Sequence, residues 1–317
     1  MSTRRKHTGV VAAGLMAVML SPLAVLFSTP EVPAALTPAE EARRLELDDW
    51  PLTPAASRGK EAYTRYCSGC HGAEGRGDGS AASFLDPLPR DFQHGAFKFR
   101  STPTGKLPRL ADVMHTITCG LPGSAMPDFR LLPEPLRRDL ATYVLHVATF
   151  KYGIREVESV MRREGLTLEQ VLAERIEAIR AEVWRKRVVT NQPIPVPPSP
   201  PVTPALLEKG RTIYMTQCNR CHGDTGKGDG PSSYTLRDWK DAPIRARDFT
   251  SGVFRAGSAP EDLFRRLRTG LNGTPMPSIP GTDEEIWALV HFMLSLVDPD
   301  RAPKRAPVCG HDDGGTR

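Results

Sequence analysis

The sequence predicts an all-α chain of two tandem domains, joined by a helical connector and a proline-rich linker. Three observations carry this. Apolar residues recur at helical spacing behind capping signals, while no alternating strand pattern of useful length is present. A set of landmarks occurs twice, about 150 residues apart. A run dense in proline separates the two copies. At 317 residues the chain suits two domains of about 100 residues plus extensions. Aromatic residues are scarce, at 7%, against 27 glycines and 30 prolines, which suits small, loop-rich domains whose core is largely filled by a cofactor.

Residues 1–34 read as an export segment. Arg4-Arg5-Lys6 precedes an apolar run from Val10 to Phe27, and Val32-Pro33-Ala34 offers small residues for cleavage after Ala34. The run is also just long enough to span a bilayer, so the segment is a signal peptide or an N-terminal membrane anchor. Either way the remainder is sent across the membrane, and the expected location is the periplasm, soluble or tethered.

Domain 1 is placed at 35–150. Thr53-Pro54 is an N-cap followed by proline at the first helical position, and the helix it opens runs into Cys67. A closing helix is expected from Leu136 to Phe150. The connector, 151–192, carries a capping box at Thr167 and Gln170. Leu168, Leu172, Ile176, Ile179 and Val183 then form a stripe at helical spacing, so an amphipathic helix packed against one domain is expected over 168–187, a membrane-surface or partner-binding helix being the alternative. The proline-rich linker, 193–204, is expected to be extended and semi-rigid. Such a spacer has little apolar surface and few amide donors, so it predicts two units that fold separately. Domain 2, 205–297, follows Thr203-Pro204 and closes with a helix opened by the capping box Thr282-Asp283-Glu284-Glu285. Residues 298–317 form a glycine-rich tail, expected to be flexible.

The repeat contains the chemistry. Cys67-Ser68-Gly69-Cys70-His71 answers Cys218-Asn219-Arg220-Cys221-His222. C-x-x-C-H is the attachment signature of c-type haem. Two thiols three residues apart on one helical turn face the same way and can both add to the vinyl groups of one porphyrin. The adjacent histidine is then the proximal iron ligand. Disulfide or thioredoxin-like readings of the cysteine pairs leave both histidines unexplained. The sequence therefore predicts two covalently attached haems, held by Cys67, Cys70 and His71 and by Cys218, Cys221 and His222.

Met126 and Met276 occupy matching loops, Gly120-Leu121-Pro122-Gly123-Ser124-Ala125-Met126-Pro127 and Gly270-Leu271-Asn272-Gly273-Thr274-Pro275-Met276-Pro277. Each precedes a proline, and the two lie in register, which marks them as the sixth iron ligands. Met114, Met215 and Met293 fall within predicted helices and read as core. His146 and His291 align but lie in the closing helices, and read as core or surface residues; His94 and His115 are further histidines that could compete for the iron. Arg90, Arg100, Arg247 and Arg255 recur in register and are candidates for pairing with the haem propionates, an exposed arginine being the alternative for each. The runs Gly72 to Gly79 and Gly223 to Gly230 lack the ending of a phosphate loop and read as turns. Cys119 and Cys309 remain; in an oxidising compartment two spare thiols tend to form a disulfide, but one adjoins the methionine loop and the other lies in the tail, so free thiols are the expectation and a bridge the alternative.

On these motifs the chain resembles the class I cytochrome c superfamily, specifically bacterial dihaem cytochromes of two tandem modules. The likeness covers about residues 53–150 and 203–297 and includes the segment Phe97 to Pro108. The resemblance implies two cytochrome c domains in which the first and last helices cross over the haem, with His71/Met126 and His222/Met276 ligation. Filled coordination suits outer-sphere electron transfer rather than catalysis. The expected function is single-electron transfer between redox partners outside the cytoplasmic membrane. The alternative is a haem-bearing subunit of a larger respiratory oxidoreductase or terminal oxidase; a dihaem peroxidase would need one iron open to substrate, and two methionine ligands oppose it. The formal net charge is +5, of which Arg4, Arg5 and Lys6 against Glu31 supply a net two. That gives no reason to expect a nucleic-acid partner.

Overall fold

The computed structural model describes residues 36–303. Within them eleven α-helices account for the regular structure; there is no strand, only one isolated bridge between Arg237 and Pro243. The expected all-α class is what the chain adopts.

A short helix, α1 (Pro38–Ala42), precedes the first unit and opens with a capping box at Thr37 and Glu40. The first unit contains α2 (Pro54–Tyr66), α3 (Ser68–His71), α4 (Leu110–Cys119) and the first half of α5 (Glu134–Glu164). Thr53 caps α2 through its hydroxyl, which accepts from the Ala56 N–H, with Pro54 in the first turn as the sequence suggested. The helix α2 crosses α5 at Gly59, where a Cβ would lie 2.1 Å from the Asp139 carbonyl oxygen. Only glycine lets the backbones approach so closely. A bidentate ion pair fastens the crossing, Arg58 Nε and Nη2 donating to the Asp139 carboxylate at 2.6 and 2.9 Å. The core beneath it gathers Tyr63, Phe92, Phe97, Val113, Ile117 and Val144.

The connector departs from the sequence reading. The closing helix does not stop at Phe150; α5 runs for 31 residues to Glu164, and Gly165 ends it in the left-handed region. Two helices then fold back, α6 (Leu168–Glu174) and α7 (Ile176–Trp184), continued by a π turn over Arg185–Val189. The capping box at Thr167 and Gln170 forms as expected. The single helix expected over 168–187 bends at Arg175, where the backbone bonds to Val171 and from Ile179 persist. Val171, Ile176, Ile179 and Val183 pack with Trp50 and the outer part of α5 into a third core. Trp184 and Val188 reach the core of the first unit.

The second unit repeats the first with α8 (Pro204–Gln217), α9 (Asn219–His222), α10 (Pro260–Thr269) and α11 (Asp283–Ser295). Gly210 marks the crossing of α8 and α11, its absent Cβ 2.1 Å from the Ala288 carbonyl oxygen. The capping box of α11 pairs Thr282 with Glu285 in both directions, at 2.7 and 3.2 Å.

The linker does not hold the two units apart. The described residues, 36–303, form one compact body. The linker is extended but fastened at both ends: the Ile194 N–H donates to Ser101 O at 2.7 Å, Val196 packs on the second core, and Ser199 Oγ meets His291 Nε2 at 2.8 Å. The units also touch directly. His94 and Trp239 stack with ring centroids 3.7 Å apart. Arg100 Nη2 and Thr104 Oγ1 both donate to Thr269 O, at 2.7 and 2.8 Å. Arg255 Nη2 donates to Gly123 O at 2.6 Å, and Lys240 Nζ to Arg76 O at 2.9 Å. Some of these contacts are reciprocal. Arg90 lies against Gly273 in the methionine loop of the second unit, and Arg247 lies against Gly123 in that of the first. An interface between two copies of one fold takes this form when a two-fold relates them.

The expectation about the spare cysteines also changes. Cys119 is disulfide-bonded. Cys309, most of the tail and the export segment 1–34 lie outside the described residues.

Candidate functional site

Each unit presents its attachment motif as one short helical turn. Cys67 stands at the junction of α2 and α3, its N–H donating to Tyr63 O at 2.8 Å, and the His71 N–H returns to Cys67 O at 2.9 Å. Cys218 and His222 reproduce both bonds, each at 2.9 Å. The following glycines form the turns the sequence suggested. Gly77 and Gly228 adopt φ of 74°, and the N–H of each donates to the histidine carbonyl at 2.8 Å, holding the motif from below.

Both histidines are oriented alike. His71 Nδ1 lies 3.0 Å from Arg90 O, and His222 Nδ1 lies 3.1 Å from Arg247 O. A carbonyl oxygen can only accept, so the proton sits on Nδ1 and the lone pair on Nε2. A metal-ligating histidine is commonly fixed in this way by a backbone carbonyl. The rings stack on Phe92 and Phe249, with centroids 4.5 and 4.4 Å apart. Tyr63 and Tyr214 brace the next residue, each hydroxyl donating to Gly72 O or Gly223 O at 2.8 and 2.6 Å. Burial holds both imidazoles below their ordinary pKa, which favours the neutral form a metal needs.

The methionine loops are closed by the same three bonds. The Leu121 N–H donates to Met126 O at 3.0 Å, Ser124 N–H to Leu121 O at 3.0 Å, and Met126 N–H to Ser124 Oγ at 3.3 Å. Leu271, Thr274 and Met276 match them.

The structure brings the sequence-selected residues together. A cavity of about 220 Å³ in the first unit is lined by Cys67, Cys70, His71 and Met126. One of about 540 Å³ in the second is lined by Cys218, Cys221, His222 and Met276. Their walls are largely apolar, with Phe97, Val113 and Ile117 in the first and Phe254, Leu263 and Leu267 in the second, and cationic side chains complete them. Burial, and then the neighbouring thiol, push Cys67 up to about 12 and Cys218 up to about 11. Both would be uncharged thiols in the closed fold, and both are suited to a neutral thioether bond.

The rival histidines lie elsewhere. His146 is buried in α5 and pushed down to about 4 by burial; His291 meets the linker; His94 stacks on Trp239. Met114, Met215 and Met293 pack on the helical cores as read. Of the four arginines, Arg90, Arg247 and Arg255 line the cavities, but Arg100 does not. Its guanidinium is bound by the carbonyls of Phe97 and Thr269, so it joins the units instead of facing a haem.

The residues fit haem. Two thiols, an oriented imidazole and a thioether face one apolar cavity in each unit. Arg90 Nη1 and Arg255 Nε are buried without a partner at the cavity walls, as donors awaiting an anion would be.

Sequence reasoning missed Lys98 and Trp239. Lys98 lines both cavities, and Trp239 binds the units together. A signal for the second was present. The spacing between copies grows from 151 at the histidines to 157 at Arg90 and Arg247, which reveals an insertion between Gly230 and Arg247 of the second copy, the stretch that contains Trp239.

Comparison with known proteins agrees with this geometry. A family model described as cytochrome C oxidase, cbb3-type, subunit III matches residues 54–144 and 205–293, one match per unit. Among solved structures, a chain of the Kuenenia stuttgartiensis reducing HAO-like protein complex is 34% identical, with a TM-score of 0.61. The similarity covers 80% of this chain and all of that one. No curated protein sequence matches.

Proposed function

Because this chain belongs to the cytochrome c family described by cytochrome C oxidase, cbb3-type, subunit III, and so binds haem c and transfers electrons, we propose that it is a dihaem electron-transfer subunit. It would carry one haem per unit and work in contact with a larger oxidoreductase. The observation that carries the dihaem reading is the repetition, in both units, of the whole site: cysteine pair, carbonyl-oriented histidine, stacked phenylalanine and methionine loop.

In this reading Cys67, Cys70, Cys218 and Cys221 would form the thioether bonds, and His71 with Met126 and His222 with Met276 would hold the two irons. The bound iron supplies a one-electron couple. The protein's part is to set its level and keep out substrates. A thioether ligand raises the reduction potential, and an apolar cavity favours the less charged reduced state. The carbonyls of Arg90 and Arg247 hold the imidazoles in place, so little has to move when an electron arrives.

The relative in the HAO-like complex favours a subunit over a freely diffusing carrier. The export segment supports a location outside the cytoplasmic membrane. Among the described residues no helix is long and apolar enough to cross a membrane, so any tether in this proposal is residues 1–34.

Intact mass of the denatured, matured protein should show two haem increments, and peptides spanning Cys67–Cys70 and Cys218–Cys221 should carry one each. A single increment overturns the dihaem reading. Tagged protein purified gently from its host should bring a second redox polypeptide with it in fixed ratio. Recovery of the chain alone at every salt concentration returns the reading to a diffusing carrier.

A further inference from the structure

The two cavities share a wall. Pro87, Lys98 and Phe99 of the first unit and Arg255 of the second line both of them. Two of these four residues are cations. Arg255 reaches across the interface to Gly123 O with one nitrogen, while its Nε is buried without a partner. Burial lowers the pKa of both, Asp86 opposing it at Arg255; Lys98 falls to about 8, with Arg90 and Arg255 adding repulsion and Asp238 opposing it. Like charges gathered away from water are costly unless anions complete the site. The neighbouring arginines are not shared: of the two cavities, Arg90 lines the first alone and Arg247 the second alone.

Resting on the dihaem reading, we propose that Lys98 and Arg255 form one cationic seat for carboxylates of both haems, so that the same pair of charges acts on the reduction of each. A haem offers two peripheral carboxylates, and a guanidinium is suited to bind one through paired donors. A positive charge at this wall disfavours the oxidised iron on either side. Its influence is stronger than in bulk water because Lys98 and Arg255 are both half-buried. Lys98 and Arg255 are positioning residues here; neither touches the attachment motifs in sequence.

Potentiometric titration of the holoprotein, followed in the visible haem bands, tests this. Arg90→Gln and Arg247→Gln should each lower one of the two midpoints and identify it. Lys98→Gln and Arg255→Gln should each lower both, and Arg255→Lys should restore most of the loss. Two haems by intact mass with only one midpoint moved by Lys98→Gln and by Arg255→Gln overturns the shared seat and leaves the dihaem reading standing. One haem in the unaltered protein overturns the dihaem reading itself. If Arg255→Gln matures poorly, haem missing from both motif peptides supports the seat, and haem missing from one alone overturns it.

Discussion

A Met276→Ala protein should keep both covalent haems and lose half of the weak near-infrared band that a methionine–iron bond gives the oxidised protein. Met276 faces the same cavity as Cys218, Cys221 and His222. Its loop is closed by backbone bonds and by Thr274 Oγ1, none of which needs the thioether. The substitution therefore removes a ligand without unmaking the loop. The affected haem should become high-spin or take water, and its potential should fall, because a soft thioether favours the reduced iron. Met126→Ala should do the same in the first unit, and the double variant should lose the whole band. A single variant with the full band shows that another residue is the ligand at that site.

The second large effect concerns stability. Gly210→Ala should destabilise the second unit by about 1–3 kcal/mol through overpacking. Its Cβ would lie 2.1 Å from the Ala288 carbonyl oxygen and 2.8 Å from the Phe292 Cβ, both held by a helix that cannot easily retreat. Gly59→Ala meets Asp139 and Tyr143 in the same way. Each should lower Tm by several degrees in a thermal melt followed by circular dichroism. Gly69→Ala is the control, since a Cβ there meets nothing within 4 Å. Equal melting of all three variants and the parent would mean the helices do not cross at those glycines.

The individual units were legible in the sequence because their rules are local. A cysteine pair with a histidine, a capping threonine before a proline, and a methionine between glycine and proline all act within a few residues. Duplication then separates signal from chance: Met126 and Met276 differ from Met114 in preceding a proline within a loop, and their recurrence in register gives that difference weight. What was not legible is the relation between the units. Arg100 and Arg255 occupy matching positions, yet one binds Thr269 O in the other unit and the other lines both cavities. Nothing local distinguishes them; the difference arises when two similar surfaces meet. The linker misled for a similar reason. Its prolines do exclude a core of its own, but Ile194, Val196 and Ser199 needed only neighbours to bind, and composition says nothing about neighbours.

The contacts between the units are largely hydrogen bonds from arginine and lysine to backbone carbonyls, with the His94–Trp239 stack as the main ring contact. Two separate molecules meeting through a handful of such hydrogen bonds would associate weakly, since most contacts across an interface add little net affinity. Here α5, α6, α7 and the fastened linker make the meeting intramolecular. A covalent tether of suitable length supplies an effective concentration on the order of millimolar. Weak complementarity is then sufficient to keep the units closed. The surface between them is thereby relieved of the need for apolar area, and its residues can serve the charge balance of the cavities instead.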